Sequence, residues 1–293
     1  MVESLLDRMP LNNGYTIPGL GLGTSGMTGR EAEDAVFSAI MKGYRLIDTA
    51  SHYDNEEDVG RGINRAVSSG IPRDEIFVIT KVWKTDMGLE QAAASFEASL
   101  ERLNLAYVDL FLIHWPDKDD EVNLATWRAL EEIYESGRAQ AIGVSNFKRG
   151  DLIPLLKEAK VRPAVNQYEI YPGHSEQDTN DYCDSENIVS MGYSPIKRGK
   201  ISKENKLMTL AKKHNKTPEQ IALRWSIQRA VIPIPKSSDK EHIAQNADVF
   251  DFFLSDEDMN LLNNLDANPK EKNRLRDNMP GTIEHRNKGH RKA

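Results

Sequence analysis

Short apolar runs alternate with longer stretches whose apolar residues recur every three or four positions, almost from end to end of the chain. The short runs fall at 18–23, 45–48, 76–81, 108–114, 141–145, 164–167, 189–194 and 231–235, and they read as eight β-strands. Helical stretches lie between them, for example at 31–42, 57–68, 89–103, 123–136 and 218–229. Alternating strand and helix predicts a parallel sheet with right-handed crossovers. Eight such units favour closure into a (β/α)8 barrel, an α/β fold, over an open sheet. Ahead of the first unit, Leu11-Asn12-Asn13-Gly14-Tyr15-Thr16-Ile17 carries an Asn-Gly turn between short flanks and predicts a hairpin covering the barrel's bottom. No linker or shift of composition divides the chain, so residues 1–293 are expected to form a single domain. The polar stretch from about 266 to 293, basic at 286–292, reads as a frayed tail.

Composition narrows the function. The chain has 293 residues, compatible with one barrel, and 39% hydrophobic content gives it a sizeable core. A net charge of -7 argues against a nucleic-acid partner. No run approaches the ~18 apolar residues of a membrane span, and the first ten residues lack the apolar centre of a signal peptide. The single cysteine, Cys183, cannot form an internal disulfide, which fits a reducing, cytoplasmic setting. The seven histidines show no metal-ligand spacing with Cys183 or with paired acids, so no metal is expected.

Four residues carry the candidate chemistry. Asp48, Tyr53, Lys81 and His114 each lie at or just past the end of a predicted strand. Barrel enzymes build their sites from the C-terminal ends of strands. Any one of the four alone would read as a surface or packing residue; together, at the same end of successive βα units, they suit hydride-transfer chemistry on a carbonyl. Reduction needs a hydride on carbon and a proton on oxygen. A phenol of pKa about 10 is a weak acid near neutrality, and a neighbouring ammonium would lower that value. Tyr53 is thus the expected general acid, Lys81 its tuner, Asp48 the group that holds Lys81 charged and in place, and His114 a donor that orients the substrate oxygen. Trp83 and Trp115, just past two of these strand ends, would wall the substrate pocket, whereas Trp127 and Trp225 lie in helical stretches and read as core.

The chain resembles the aldo-keto reductases, notably the smaller microbial members. The matching residues are Asp48-Thr49-Ala50 with Tyr53, Asn55 and Glu56, then Thr80-Lys81, His114-Trp115-Pro116, Gly143-Val144-Ser145-Asn146-Phe147, Asn166-Gln167, Tyr193-Ser194-Pro195 and Ile234-Pro235-Lys236-Ser237. They stand in family order from about 11 to 266. The resemblance implies NADP(H) lying across the barrel mouth without a Rossmann domain, a small carbonyl substrate, and a monomer. It also implies that Ser145, Asn146 and Gln167 hydrogen-bond the nicotinamide carboxamide and that Tyr193 stacks on the ring. Ser194, Pro195 and Ile196 would line the pyrophosphate groove, and Thr24 and Asp48 would touch the cofactor's reactive end. Lys236, Ser237, Ser238, Asp239, His242 and Asn246 would form the adenosine end.

At that end the sequence departs from the family. His242 stands where Arg usually grips a 2′-phosphate, and Asp239 adds an acid. Arg offers permanent charge and bidentate geometry, while His is mostly neutral at pH 7. A carboxylate repels phosphate but can accept from a free ribose hydroxyl, which makes NAD(H) use plausible. The competing structural reading is a capping box of Ser238 and Glu241, with Asp239 a dipole-favoured acid in the first turn. A second departure is Ser25, where relatives often carry Trp after Gly-Thr. Gly19-Leu20-Gly21-Leu22-Gly23 imitates a dinucleotide loop, but the helix begins too late for its N-terminus to meet a pyrophosphate. These glycines are expected instead to hold the first strand near the bottom hairpin. The leading reading is therefore an NAD(P)H-dependent aldehyde and ketone reductase, sugar-derived and keto-acid carbonyls included. The same chemistry run toward oxidation and a catalytically idle cofactor-binding scaffold are the alternatives.

Overall fold

The computed structural model describes residues 2–267; the tail read from the sequence lies, from residue 268 on, outside the described residues. Two short strands, β1 (Arg8–Pro10) and β2 (Thr16–Pro18), pair antiparallel, with Met9 opposite Ile17. Eight parallel strands follow in chain order, each bonded to the next: β3 (Leu22–Gly23), β4 (Leu46–Asp48), β5 (Phe77–Val82), β6 (Leu110–Ile113), β7 (Ile142–Ser145), β8 (Val165–Glu169), β9 (Val189–Tyr193) and β10 (Ile232–Ile234). The amides of Gly21 and Gly23 bond the carbonyls of Pro233 and Pro235, both at 3.1 Å, and a parallel bridge joins Gly23 to Lys236. First and last strands thus meet, and the sheet closes as a (β/α)8 barrel.

Helices separate the strands: α1 (Gly29–Met41), α2 (Glu56–Ser68), α3 (Leu89–Leu103), α4 (Asp120–Glu135), α5 (Arg149–Glu158) and α6 (Gln177–Ser185). Then come α7 (Asn205–His214), α8 (Pro218–Gln228), α9 (Lys240–Ala247) and α10 (Asp256–Asn263). All eight strands and the five helices anticipated from the pattern are present. α4 starts three residues earlier than the apolar period indicates, because the Asp119 carboxylate accepts from the Glu121 amide and caps it. α8 starts where read, with Pro218 in the first turn and a reciprocal Thr217–Gln220 capping box.

Side chains along a strand alternate between the barrel interior and the helical layer. One apolar cluster fills the interior: Leu46, Phe77, Ile79, Leu110, Leu112, Val165, Met191, Ile232 and Ile234 are among its buried members. The residues between them, such as Ile47, Val78, Phe111, Ile113 and Val144, pack outward with the helices in a second cluster that includes Trp127 and Trp225. Leu11 and Ile17 of the hairpin belong to the interior cluster, so the hairpin does plug the bottom. Its turn is anchored by Asn12, which bonds the carbonyls of Pro163 and Asn187, and by Asn13, which bonds that of Gln140.

The glycine run divides its roles. Gly19 serves the N-terminal segment: its amide bonds the Asp7 carbonyl, and a Cβ there would strike Val2. Gly21 serves the seam, because a Cβ would collide with Leu46 and Ile234 inside the barrel. The expectation that all of these glycines face the hairpin is therefore corrected for Gly21. Gly21→Val should lower the denaturant midpoint by an amount equivalent to about 1–3 kcal/mol, the usual cost of overpacking. An unchanged midpoint in urea unfolding would contradict this placement.

Candidate active site

The same alternation that fills the interior builds the site. Counting by twos from the interior residues leads to Asp48 after Leu46, Lys81 after Ile79, His114 after Leu112, Gln167 after Val165 and Tyr193 after Met191. The final inward position of strand after strand is polar, and these residues gather at the C-terminal mouth.

Lys81 is completely buried. Its ammonium donates to Asp48 Oδ2 and to the Thr49 carbonyl, both at 2.8 Å, and lies 3.5 Å from the Tyr53 hydroxyl. Asp48 is buried and also accepts from Gln167 Nε2 at 2.8 Å. Tyr53 is set by a one-turn 3-10 helix (Ser51–Tyr53) after β4. Its ring meets that of His114 edge-on, with centroids 5.5 Å apart. All four sequence-predicted residues are thus brought together.

The electrostatics differ from the simple expectation. Burial, followed by the Asp48 charge, pushes the Tyr53 phenol up, and a hydrogen bond with Ser25 only partly offsets this. Lowering by Lys81 was expected; instead the ammonium is committed to Asp48 and Thr49, and the phenol stays protonated. Lys81 itself is pulled down by burial, against the opposing charge of Asp48. His114 is pushed down to about 2, first by burial and then by Lys81, His52 and Lys84, so its ring is neutral at working pH. His114 Nδ1 is buried with no partner among the described residues.

The nicotinamide candidates form their own network. Ser145 donates to the Gln167 carbonyl at 2.8 Å, and Asn146 donates to Ser145 Oγ and to the His114 carbonyl. Asn146 takes a left-handed conformation (φ 64°), and its Oδ1 accepts from the Tyr193 hydroxyl at 2.9 Å. Thr24 is buried, and its hydroxyl donates to the Asp48 carbonyl. Ser194, also left-handed, begins the chain's exit through Pro195 and Ile196 along the mouth. Trp83 stacks on His52 (3.6 Å between centroids) and meets His114 edge-on at 4.9 Å, while the Lys84 ammonium lies 5.1 Å from the Trp115 ring.

Lys236, Ser238, Asp239 and His242 are exposed past β10, with Ser237 half-buried and Asn246 buried. The cap of α9 is Asp239 and not Ser238: its carboxylate accepts from the Glu241 and His242 amides at 2.8 and 2.9 Å. The Ser238–Glu241 capping box is thereby corrected. Asp239 wins because one residue's shift puts its carboxylate over two unpaired amides, and those bonds hold its carboxyl below the usual range.

Three contributors were given no role in the sequence reading. Ser25 pairs with Tyr53, and the Thr49 carbonyl shares Lys81. Glu56 is buried, accepts from Thr80 and is paired with Arg102 at 2.6 Å. The Ser25 signal was present, since a small polar residue stands where relatives often carry Trp; a backbone carbonyl leaves none.

The site is that of a barrel oxidoreductase, and the chain belongs to the aldo/keto reductase family, whose model matches residues 19–267. It is 46% identical over 271 residues to the glyoxal reductase of Bacillus subtilis (strain 168), covering 92% of this chain and 96% of that protein. The structure of an aldo/keto reductase from Brucella melitensis matches with a TM-score of 0.86 and 40% identity, covering 91% of this chain and 100% of that one. A Bombyx mori aldo-keto reductase in complex with NADP matches with a TM-score of 0.83 and 37% identity, covering 90% and 94%. The protein is accordingly an NAD(P)H-dependent oxidoreductase that binds NADP(H) and acts on small carbonyl compounds. Its residues fit that cofactor: the ends of β7 and β8 offer neutral amides and a hydroxyl, β9 offers an aromatic ring, and a cation follows β10. Among the described residues no helix is long and apolar enough to cross a membrane.

The buried His114 ring gives a direct check. Its imidazole signals should not titrate between pH 4 and 9 in NMR; a midpoint near 6.5 would contradict the burial. The sign for stability follows. Below about pH 6.5 the unfolded chain binds a proton here that the folded chain refuses until about pH 2, so this residue favours unfolding increasingly across that window.

Proposed function

We propose that the protein reduces aldehydes and ketones to alcohols with Tyr53 as general acid. The observation that carries this is the meeting of Lys81 Nζ with Asp48 at 2.8 Å and the Tyr53 hydroxyl at 3.5 Å, beside the His114 ring. NADP(H), when bound, supplies the hydride that adds to the carbonyl carbon. The phenolic proton moves from Tyr53 Oη to the carbonyl oxygen as negative charge develops there. Burial keeps the phenol in its protonated form, and the nearby ammonium of Lys81 stabilises the phenolate that the transfer leaves behind. Asp48 and the Thr49 carbonyl keep that ammonium from swinging away. The neutral His114 has one N–H to give. We assign the proton to Nε2, which leaves the partnerless Nδ1 as a bare acceptor and frees the N–H to orient the substrate oxygen.

Ser145, Asn146 and Gln167 are assigned to the carboxamide, Tyr193 to the ring face, Ser194, Pro195 and Ile196 to the pyrophosphate groove, and Thr24 to holding the end of β4 near the reactive centre. Trp83 and Trp115 wall the substrate. The range is broad, covering small aldehydes of the glyoxal kind, sugar-derived carbonyls and keto acids, and the same groups run the reverse oxidation when the cofactor ratio demands it. At the adenosine end Lys236, Ser237, Ser238 and Asn246 remain as ligands. The Asp239 carboxylate occupies the α9 amides that a phosphate would otherwise meet, and His242 offers no permanent charge. NAD(H) is therefore a competent second cofactor.

Two measurements test this. Tyr53→Phe should lower kcat for a reactive aromatic aldehyde by about 10²–10⁴-fold while cofactor binding, followed by fluorescence, is retained. Full activity in the variant would remove Tyr53 from its role, and a wild type that binds cofactor but turns over no carbonyl would favour a binding scaffold. In parallel assays NADH should support kcat/KM within about tenfold of NADPH, the span of one charge-assisted bond. A preference for NADPH of roughly several hundred-fold would overturn the reading of His242 and Asp239.

A further inference from the structure

The wall of the mouth beside His114 carries an unneutralised cation. Lys84 follows Trp83 directly and opens a short 3-10 turn (Lys84–Asp86). Its side chain is exposed, and its ammonium lies 5.1 Å from the centre of the Trp115 ring. Trp115 follows His114 in the chain, and Trp83 packs edge-on against the His114 ring at 4.9 Å. Lys84 therefore lies against the Trp115 ring, one residue past the indole that packs on the His114 imidazole. Lys84 forms no ion pair with a described residue, whereas the acids two residues past it and two residues past Trp115 are turned to their own loops. Asp86 accepts from Thr85 and Ser95 hydroxyls at 3.0 and 3.4 Å, and Asp117 accepts from the Asp119 amide at 3.0 Å. Asp54 and Asp86 line a groove toward α2 and α3 that neither Lys84 nor Trp115 lines. On the other flank of Trp83, His52 stacks on the indole at 3.6 Å.

With Trp83 and Trp115 proposed as the walls of the substrate pocket, a carbonyl whose oxygen meets Tyr53 and His114 would send its substituent past them. We infer that Lys84 selects among substrates by pairing with a carboxylate on that substituent, so that the preferred substrates are aldehydes and ketones bearing an anionic group: oxo acids and aldehyde acids. This rests on the carbonyl-reductase reading of the same site and sharpens its substrate class. The indoles provide apolar surface that lowers the local dielectric, which makes one charge at the rim count for more than it would in open water. The attraction is still partly solvated, so its size is that of a partly exposed pair and it weakens with added salt.

The test compares 4-carboxybenzaldehyde with 4-cyanobenzaldehyde, two similar rings of which one carries a charge. Wild type should prefer the carboxylate in kcat/KM at low ionic strength, and the preference should shrink in 0.5 M salt, where the screening length falls to only a few Å. Lys84→Met should reduce the ratio of the two kcat/KM values by about three- to fivefold, Lys84→Glu should reduce it further, and Lys84→Arg should retain it. A ratio that is the same in wild type, Lys84→Met and Lys84→Glu would overturn the inference. A binding measurement separates this from failure of the reductase reading. In the cofactor-loaded protein, quenching of tryptophan fluorescence should show benzoate binding more tightly than benzamide, with the difference lost in Lys84→Met. If neither aldehyde is turned over, that comparison still decides the matter, and equal binding of the two ligands would overturn the inference.

Discussion

A fully buried ammonium needs a partner, and much of the mouth of this barrel follows from that requirement. An uncompensated charge of this kind costs several kcal/mol even after relaxation. Lys81 meets the cost with Asp48 and the Thr49 carbonyl, at 2.8 Å each. Asp48, buried in turn, takes a further bond from Gln167, which ties β4 to β8 across the mouth. Gln167 shares its backbone carbonyl with Ser145 and Asn146, and Asn146 reaches both His114 and Tyr193. One charge on β5 is in this way linked to the ends of β4, β6, β7, β8 and β9. The protein's own groups hold this network together, so its orientation need not be set at the moment of reaction.

Much of this was legible in the sequence because two periods carry it. Alternation between short apolar runs and helical stretches gives the barrel, and the period of two within each run places Asp48, Lys81, His114, Gln167 and Tyr193 on the interior face. The pattern placed the start of α8 at Pro218, where the structure has it, but not that of α4, where Asp119 extends the helix beyond its apolar stripe. What was not legible depends on three-dimensional burial. The direction of the Tyr53 shift is a balance among desolvation, Asp48 and Ser25 that no spacing encodes. Likewise Ser238 and Asp239 are both acceptable caps in a string of letters, and only the placed backbone shows which carboxylate or hydroxyl meets the free amides.

The division of labour around the barrel explains how one scaffold can keep its chemistry while its ligands change. Asp48, Lys81 and His114 sit at or next to the ends of strands, above the interior cluster, and Tyr53 follows β4 in a 3-10 turn. The residues proposed to meet the outer parts of substrate and cofactor lie further out: Lys84 in the turn after β5, Asp239 at the N-cap of α9 and His242 in that helix's first turn. Exposed connections tolerate substitution far better than a closed interior does. On the proposed reading, a change of charge there would alter which carbonyl or which nicotinamide cofactor is preferred without disturbing Lys81 and its partners.

The account stands or falls on whether the buried pair is the keystone of the mouth. A double-mutant cycle over Lys81→Met and Asp48→Asn, read by urea unfolding, measures this directly. Each single variant leaves a buried group uncompensated and should cost about 3–5 kcal/mol. The double variant should cost clearly less than the sum, with a coupling of about 2 kcal/mol or more. Additive losses would mean that the two groups are stabilised independently, and the mouth would then not be organised around their contact.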